Sequence, residues 1–339
     1  MSRDIPLTPG HEPITVVVCT FRGTEYLRAQ LESIRAQSVP PAEVIVSDDA
    51  SHDGTVELAR EVLSAEGSAS IPHRIIVNDP GLGTAENFRR AVLGARTDLV
   101  ALSDQDDVWF PDRLERALER HAADPDLELL FGDARLVDAA GTDLGLGLFE
   151  TLDISAAERT LILEGRGFDV LLRRNLATGA TVTLRRRLVE WAGPVGADWL
   201  HDEWWAILAA SRGRIGFTTA ALINYRQHGK NQVGVTKASL RTKISRVLEA
   251  DPDRNPRLAR RTRALVQRLD EVDPHTLVAP DAVLADARAK LRIETFRAEL
   301  PTNRLRRVLP VLRESRRGDY ERYTSQGRAE ILRDLLQPR

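Results

Sequence analysis

Leu99-Val100-Ala101-Leu102-Ser103-Asp104-Gln105-Asp106-Asp107-Val108-Trp109 is an apolar run that turns acidic within two residues. The first four residues suit a strand buried on both faces of a sheet. Three carboxylates within four residues repel one another unless a cation or solvent separates them. Oxygen-rich groups suit Mg²⁺ or Mn²⁺, which commonly bridge one or two carboxylates to substrate phosphates. In open α/β sheets, ligands bind beyond the carboxyl ends of the strands. Position and chemistry together point to a metal–phosphate site. A simple acidic helix cap, with Asp107 or Asp112 capping a helix begun near Pro111, accounts for one aspartate and leaves the others unexplained.

Working towards the N-terminus, strand and helix signals alternate. Ile14–Cys19 is a β-branched apolar run. Leu27, Leu31 and Ile34 have helical spacing within residues 25–36, and Pro40-Pro41 breaks that pattern. Glu43–Ser47 reads as a second strand, ending in Asp48-Asp49. Asp53 can cap a helix over Thr55–Ser64. His73–Val77 is a third strand, Thr84–Ala95 a helix, and Asp98–Leu102 the fourth strand. This order predicts an α/β fold: a mostly parallel sheet covered by helices on both faces, with right-handed crossovers.

Beyond Trp109 the rhythm changes. Leu127–Asp138 reads as a long strand with a turn at Ala139-Ala140-Gly141. Residues 142–165 read as an irregular insertion or loop. Ala180–Leu184, Arg214–Phe217 and Ala221–Arg226 are predicted strands, and Glu203–Ser211 a short helix. After Val235 the pattern is helical: Ser239–Glu249, Pro256–Glu271, Pro280–Leu300, Arg304–Arg316 and Arg328–Leu336. A boundary is drawn near residue 236.

The 339 residues carry a net charge of −2, which hides an asymmetry. Residues 236–339 hold 24 Lys and Arg against 15 Asp and Glu, or +9, leaving residues 1–235 at −11. A basic helical tail meets anionic lipid, nucleic acid or the acidic body of its own chain, or is simply a solvated face. The single cysteine, Cys19, excludes a disulfide framework within the chain and a multi-cysteine zinc site. It lies in an apolar strand and reads as a core thiol. With no leader pattern or long apolar span, a cytoplasmic location is the expectation.

Asp48-Asp49-Ala50-Ser51-His52-Asp53-Gly54-Thr55 is a second acidic strand end, with Thr20 closing the first strand beside it. Carboxylates there can accept hydrogen bonds from a base N–H or ribose hydroxyls. Together, ITVVVCTF (14–21), VIVSDDASHDGT (44–55), GLGTAENF (81–88) and LVALSDQDDVW (99–109) resemble the inverting family-2 glycosyltransferases of GT-A fold. ATGATVTLRR (177–186), LHDEWWA (200–206) and YRQHGKNQVG (225–234) are similar to the rhamnosyltransferase-like branch, as is the tail segment 316–336. The resemblance spans about residues 14–235.

It implies a GT-A nucleotide-diphospho-sugar transferase fold over 1–235, followed by a basic, mainly helical region over 236–339. It also implies roles. Asp104 and Asp106 form the Asp-x-Asp pair. Asp106 would ligate Mg²⁺ or Mn²⁺, with Asp104 contacting ribose or helping to order the metal, and Gln105 lies on the donor side between them. Asp48 and Asp49 would face the nucleobase, with Thr20 beside them and Asn87 a polar donor-side position. Asp202 would be the general base. Arg22, where many members carry Asn, would contact the donor or its phosphates. His201 replaces the acidic first member of the family's Glu-Asp pair, so Asp198 and Glu203 stand as flanking candidates for the base. His228 either completes the metal site or is merely hydrogen bonded; Arg226 and Lys230 are diphosphate contacts or solvated charges. Trp204 and Trp205 stack on sugar or fill core, and Gly179 admits a ligand or makes a turn.

The chemistry needs separate carboxylates on the two sides of the sugar. One takes the proton of the attacking hydroxyl, and an ordinary Asp, with a pKa of about 3.9, is ionised to do so. The other side holds the diphosphate through a metal. The partners expected are a nucleotide-sugar donor, dTDP-rhamnose at branch level, and a glycan or lipid-linked acceptor. Peripheral membrane contact through the basic helices and homo-oligomerisation are further expectations, and nucleic acid is not a partner. Competing classes are a non-catalytic nucleotide- or glycan-binding module and a metal-dependent nucleotidyltransferase or phosphohydrolase. The latter shares the metal site but has no need of Asp202.

Overall fold

The computed structural model describes residues 12–65, 71–228 and 251–338. Four parallel strands open the chain: β1 (Ile14–Thr20), β2 (Glu43–Asp48), β3 (His73–Val77) and β4 (Leu99–Ser103). They are joined by α1 (Leu27–Arg35), α2 (Thr55–Ser64) and α3 (Thr84–Leu93). Then follow β5 (Val108–Trp109), α4 (Arg113–Ala123), β6 (Leu129–Val137), β7 (Asp143–Gly147) and β8 (Thr183–Arg185), with β9 (Ile215–Arg226) last. Among the described residues one sheet runs in the order β3-β2-β1-β4-β8-β6-β9-β5, with β7 paired off this path to the C-terminal part of β6.

The alternation of β1 assigns its faces. Val16 and Val18 pack with Leu27, Leu31 and Ile34 of α1 on one side of the sheet. Val17 and Cys19 pack with Phe88 and Val92 of α3 on the other. Both faces are buried, which is why the strand reads as unbroken apolar sequence. Register sets the strand ends level: Thr20 lies opposite Asp48, and Val18 opposite Ser103. The polar rim predicted at the carboxyl edge follows from this.

The second half is not parallel throughout. β4–β8 and β8–β6 are antiparallel, β6–β9 is parallel, and β5–β9 is antiparallel with Val108 opposite Asn224. The last pairing lays the end of β9 beside the acidic loop. Where two strands are predicted, Arg214–Phe217 and Ala221–Arg226, one long strand, Ile215–Arg226, runs with irregular register against β6.

The expectation of an irregular segment over 142–165 is corrected. It holds β7, antiparallel to β6, then helices Leu148–Thr151 and Ala156–Leu163. Ser155 and Glu158 form a reciprocal capping box at the second helix. Phe149, Ile154 and Ile162 anchor this segment in the core. The predicted caps also shift. Asp112 occupies the N-cap of α4 without a side-chain cap bond, and Asp107 caps nothing. Gly54, not Asp53, is the N-cap of α2, while Asp53 accepts from the Thr55 N–H at 3.2 Å.

The C-terminal helices, Arg254–Glu271, Pro280–Ala298, Arg304–Ser315, Asp319–Tyr323 and Arg328–Leu336, cover the α3 side. Leu265, Leu269, Val283 and Ile293 join Trp204, Trp205 and Val17 in one continuous core. The boundary predicted near 236, the helix predicted at 239–249 and Lys230 lie outside the described residues. Much of the positive charge of the tail is neutralised internally. Buried Arg297 bonds Asp334 at 2.8 Å, Glu294 at 2.9 Å and Glu330 at 2.5 Å, and Tyr320 donates to Asp334 at 2.9 Å.

Candidate active site

The loop between β4 and β5 is held by charge and by β9. Asp107 is buried, and its Oδ1 accepts the Arg226 N–H at 3.0 Å. Beneath it lies Arg113, fully buried, donating to the Leu102 carbonyl at 2.8 Å with its guanidinium 3.5 Å over the Trp109 ring. Burial lowers the pKa of Arg113 to about 9, against the pull of Asp107 and Asp104. An internal cation therefore offsets part of the acidic cluster. Sequence reading missed it; the available signal was an Arg in the buried stripe Arg113, Ala117, His121 of α4.

No hydrogen bond from the described residues reaches the Asp104 carboxylate. Its pKa is pushed up to about 7, first by burial and then by the charges of Asp106 and Asp202, with Arg113 opposing. Asp106 accepts from His228 Nε2 at 2.8 Å, and its backbone carbonyl accepts from Arg226 Nε at 2.8 Å. The His228 ring stacks on Tyr26 at 5.1 Å. Tyr225 is buried, and its hydroxyl is held protonated first by burial and then by Asp104, Asp107, Asp106 and Asp202. It too was missed, though it sits on the inward face of β9 with Ile223.

At the neighbouring strand ends, Thr20 donates to Asp48 Oδ2 at 2.7 Å, and the Ser51 N–H donates to Asp48 Oδ1 at 2.8 Å. Asp49 accepts from the N–H groups of Leu82 at 2.5 Å and Gly83 at 2.9 Å, fixing the turn before α3. Both aspartates thus shape loops at this edge. Arg22 is exposed, with a positive φ of 51°, and its N–H donates to Ser51 Oγ at 2.8 Å.

Three residues expected on the donor side are bonded within the chain. Asn87 is buried: it bonds the Ser47 hydroxyl and carbonyl and accepts from Asn78 at 3.0 Å, tying α3 to the end of β2. Gln105 exchanges both bonds with the Phe21 backbone, at 2.8 and 3.0 Å, so it clamps the β1–α1 loop. Gly23 permits this, since a Cβ there would lie 2.4 Å from Gln105 Oε1. Arg226 is buried on Tyr26 and bonds the carbonyls of Asp106 and Ala139, so it braces the acidic loop.

Asp202 lies in the first turn of α5 (His201–Ser211), near enough to the acidic loop for its charge to raise the Asp104 pKa. Its Oδ2 accepts the Gly179 N–H at 2.8 Å and its Oδ1 the Glu203 N–H at 2.8 Å. Burial raises its pKa, and those backbone donors oppose the rise. A Cβ on Gly179 would stand 3.3 Å from Asp202 Oδ2, so that glycine lets the backbone approach closely. The flanking candidates are engaged elsewhere. Asp198 pairs with Arg260 at 2.7 Å and Glu203 with Arg261 at 2.5 Å, both from helix Arg254–Glu271. His201 is buried, stacked on Phe88 at 4.1 Å, and burial lowers its pKa to about 3. Trp204 and Trp205 are core residues, as the bland reading of them holds.

Among the described residues no group of three or more His, Cys, Asp or Glu side chains converges on one ion position. The donors nevertheless fit a divalent ion completed by substrate. Two cis ligands at about 2.1 Å from an octahedral ion lie about 3 Å apart, and His228 Nε2 and Asp106 Oδ2 are 2.8 Å apart. The Asp104 carboxylate, with its raised proton affinity, supplies the further negative charge that a cation would relieve.

This curled α/β sheet, with an acidic loop at its carboxyl edge and a helical C-terminal region, is a GT-A-type transferase fold. Residues 15–142 match the family model Glycosyl transferase family 2. It is 27% identical over 129 residues to the putative glycosyltransferase EpsH of Bacillus subtilis, covering 38% of this chain and 36% of that one. It is 31% identical over 106 residues to the dTDP-rhamnosyl transferase RfbG of Shigella flexneri, covering 30% and 36%. The chain spans between 36% and 59% of the length of the curated relatives that it matches first. In structure it is similar to S. aureus TarS 1–349, with a TM-score of 0.56 and 15% identity, covering 94% of this chain and 91% of that one. It is also similar to the mannosyltransferase PcManGT of Pyrobaculum calidifontis in complex with GDP-Man and Mn²⁺, with a TM-score of 0.51 and 18% identity, covering 98% and 89%.

Proposed function

We propose that this protein is an inverting glycosyltransferase. It moves a sugar from a nucleotide-sugar donor to a hydroxyl of a glycan or lipid-linked acceptor in the cytoplasmic assembly of bacterial surface polysaccharide. The observation that carries the reading is electrostatic. Asp202, 98 residues after Asp104, is near enough for its charge to raise the Asp104 pKa, and both charges bear on the buried Tyr225 hydroxyl. Inversion at an anomeric carbon needs such a pair: a carboxylate base for the acceptor hydroxyl and an acidic loop on the side of the departing diphosphate.

Asp202 takes the proton of the acceptor hydroxyl as its oxygen attacks the anomeric carbon. Burial strengthens it as a base, while the Gly179 and Glu203 N–H groups and the N-terminus of α5 favour its charged form and aim it. The glycosidic bond pair leaves with the nucleotide diphosphate on the opposite face. Asp106 and His228, with Asp104, would hold Mg²⁺ or Mn²⁺, which when bound stabilises the charge of the departing diphosphate. Asp48, Asp49 and Gln105 act as positioning residues, fixing the loops that receive the nucleotide. The similarity to a dTDP-rhamnosyl transferase supports dTDP-rhamnose as the donor.

The test is calorimetric titration with dTDP-rhamnose, UDP-glucose, UDP-galactose and GDP-mannose, with Mn²⁺ or Mg²⁺ and then with chelator. Metal-dependent binding of dTDP-rhamnose is expected. Preference for another donor replaces the sugar assignment, and binding of none overturns the transferase reading.

A further inference from the structure

The helix Arg304–Ser315 is inside out. A surface helix normally buries its apolar stripe and exposes its charges. Here Arg307, Val311 and Glu314 face inward. Arg307 is fully buried and satisfied by the carbonyls of Thr302, Asp334 and Gln337. The opposite face carries Leu305, Val308, Leu309 and Leu312, spaced i, i+3, i+4 and i+7, and these are 84%, 42%, 67% and 46% exposed. The packed helix Arg328–Leu336 adds Leu332 and Leu336, one turn apart and 58% and 47% exposed. Scattered exposed leucines need no explanation, but a whole helical stripe of them marks an interaction surface.

Charge decides the partner. Arg304, Arg306, Arg313 and Arg316 are exposed on the same helix, and among the described residues none has an acidic partner. Most other arginines of these helices are paired. On a helical wheel Arg306 and Arg313 flank one side of the leucine stripe, Arg304 the other, and Arg316 lies at its C-terminal end. An apolar stripe edged by unpaired arginines fits a lipid bilayer with anionic headgroups: the leucines enter the acyl boundary and the guanidinium groups meet phosphate. A second copy fits worse, because a two-fold contact sets the same arginines against each other.

We propose that this face docks the protein on an anionic membrane surface, with Leu305, Val308, Leu309 and Leu312 inserted and Arg304, Arg306, Arg313 and Arg316 on the headgroups. No described helix is long and apolar enough to cross a membrane, so the attachment is peripheral and sensitive to salt. The inference stands apart from the transferase reading, since vesicle binding needs neither donor nor acceptor.

The experiment is co-sedimentation of the full chain with vesicles of phosphatidylcholine alone and of phosphatidylcholine mixed with phosphatidylglycerol. Two variants, L305Q/L309Q and R306Q/R313Q, run alongside, with light scattering and thermal unfolding as controls. The wild type should bind the mixed vesicles, weaken as salt rises, and ignore phosphatidylcholine. Each variant should bind at least about tenfold less, with an unchanged melting temperature. Three results would overturn the proposal. They are no binding to anionic vesicles, a wild-type dimer that L305Q/L309Q converts to monomer, or a lowered melting temperature in L305Q/L309Q, which would mean that the chain itself covers this face.

Discussion

Asp202 and His201 are adjacent in sequence and opposite in chemistry. Both are buried, but Asp202 has two backbone N–H donors and His201 has aromatic rings. The first stays available as a base; the second stays neutral. Replacing Asp202 with Asn should lower transfer by roughly 10²–10⁴-fold, the usual worth of a general base, while calorimetry shows donor binding retained. Asn also turns an NH₂ towards a backbone donor, so a stability loss of about 1–3 kcal/mol should accompany it in urea unfolding. Asp106→Ala should instead abolish metal-dependent donor binding in the same titration. For His201 the sign is fixed by its depressed folded pKa of about 3. The unfolded chain takes up the proton near pH 6.5 and the folded chain does not, so the stability this group lends is present above pH 6.5 and lost as pH falls towards 3. A His201→Phe variant lacks that loss. Relative to wild type it should gain about 1.4 kcal/mol per pH unit below 6.5, read from urea unfolding at a series of pH values.

At the scale of elements, the C-terminal helices do more than cover the sheet. Helix Arg254–Glu271 engages Asp198 and Glu203 on either side of the proposed base, and Trp199 Nε1 donates to the Arg261 carbonyl at 2.8 Å. The start of α5 is therefore positioned by residues about 60 places downstream. Those helices are held to one another by the buried charges around Arg297. Removing one partner of such a cluster leaves the others buried and uncompensated. Arg297→Ala should cost about 3–5 kcal/mol in urea unfolding, because Glu294, Glu330 and Asp334 lose their shared cation. Arg292→Ala, at a half-exposed position, should cost much less.

At the scale of the whole molecule, one core runs from β1 through α5 into the C-terminal helices. We expect a chain ending at residue 235 to be molten or insoluble, with near-UV circular dichroism lost, because it would uncover the surfaces that Leu265, Leu269 and Val283 bury. A soluble truncated chain with native near-UV signal would support the division near residue 236 into two independently folding units. The strand–helix alternation of residues 14–103 was legible in the sequence, since β-branched runs and 3.6-residue spacing are local properties of the chain. So was the acidic edge, because strand ends and carboxylates share one stretch of sequence. The Asp104–Asp106 loop and Asp202, on which the proposed chemistry rests, were singled out by motifs whose order along the chain is distinctive. What the tertiary structure decided is the use to which polar groups are put. Asn87, Gln105 and Arg226 look like ligand-binding residues in sequence, yet each finds a backbone partner far along the chain that only folding brings near. Residues 142–165 looked irregular because their leucines and phenylalanine show a pattern only against the core that receives them. The outward stripe of Leu305, Val308, Leu309 and Leu312 has the same helical spacing as a buried one. Periodicity marks a face, and only packing determines whether that face turns in or out.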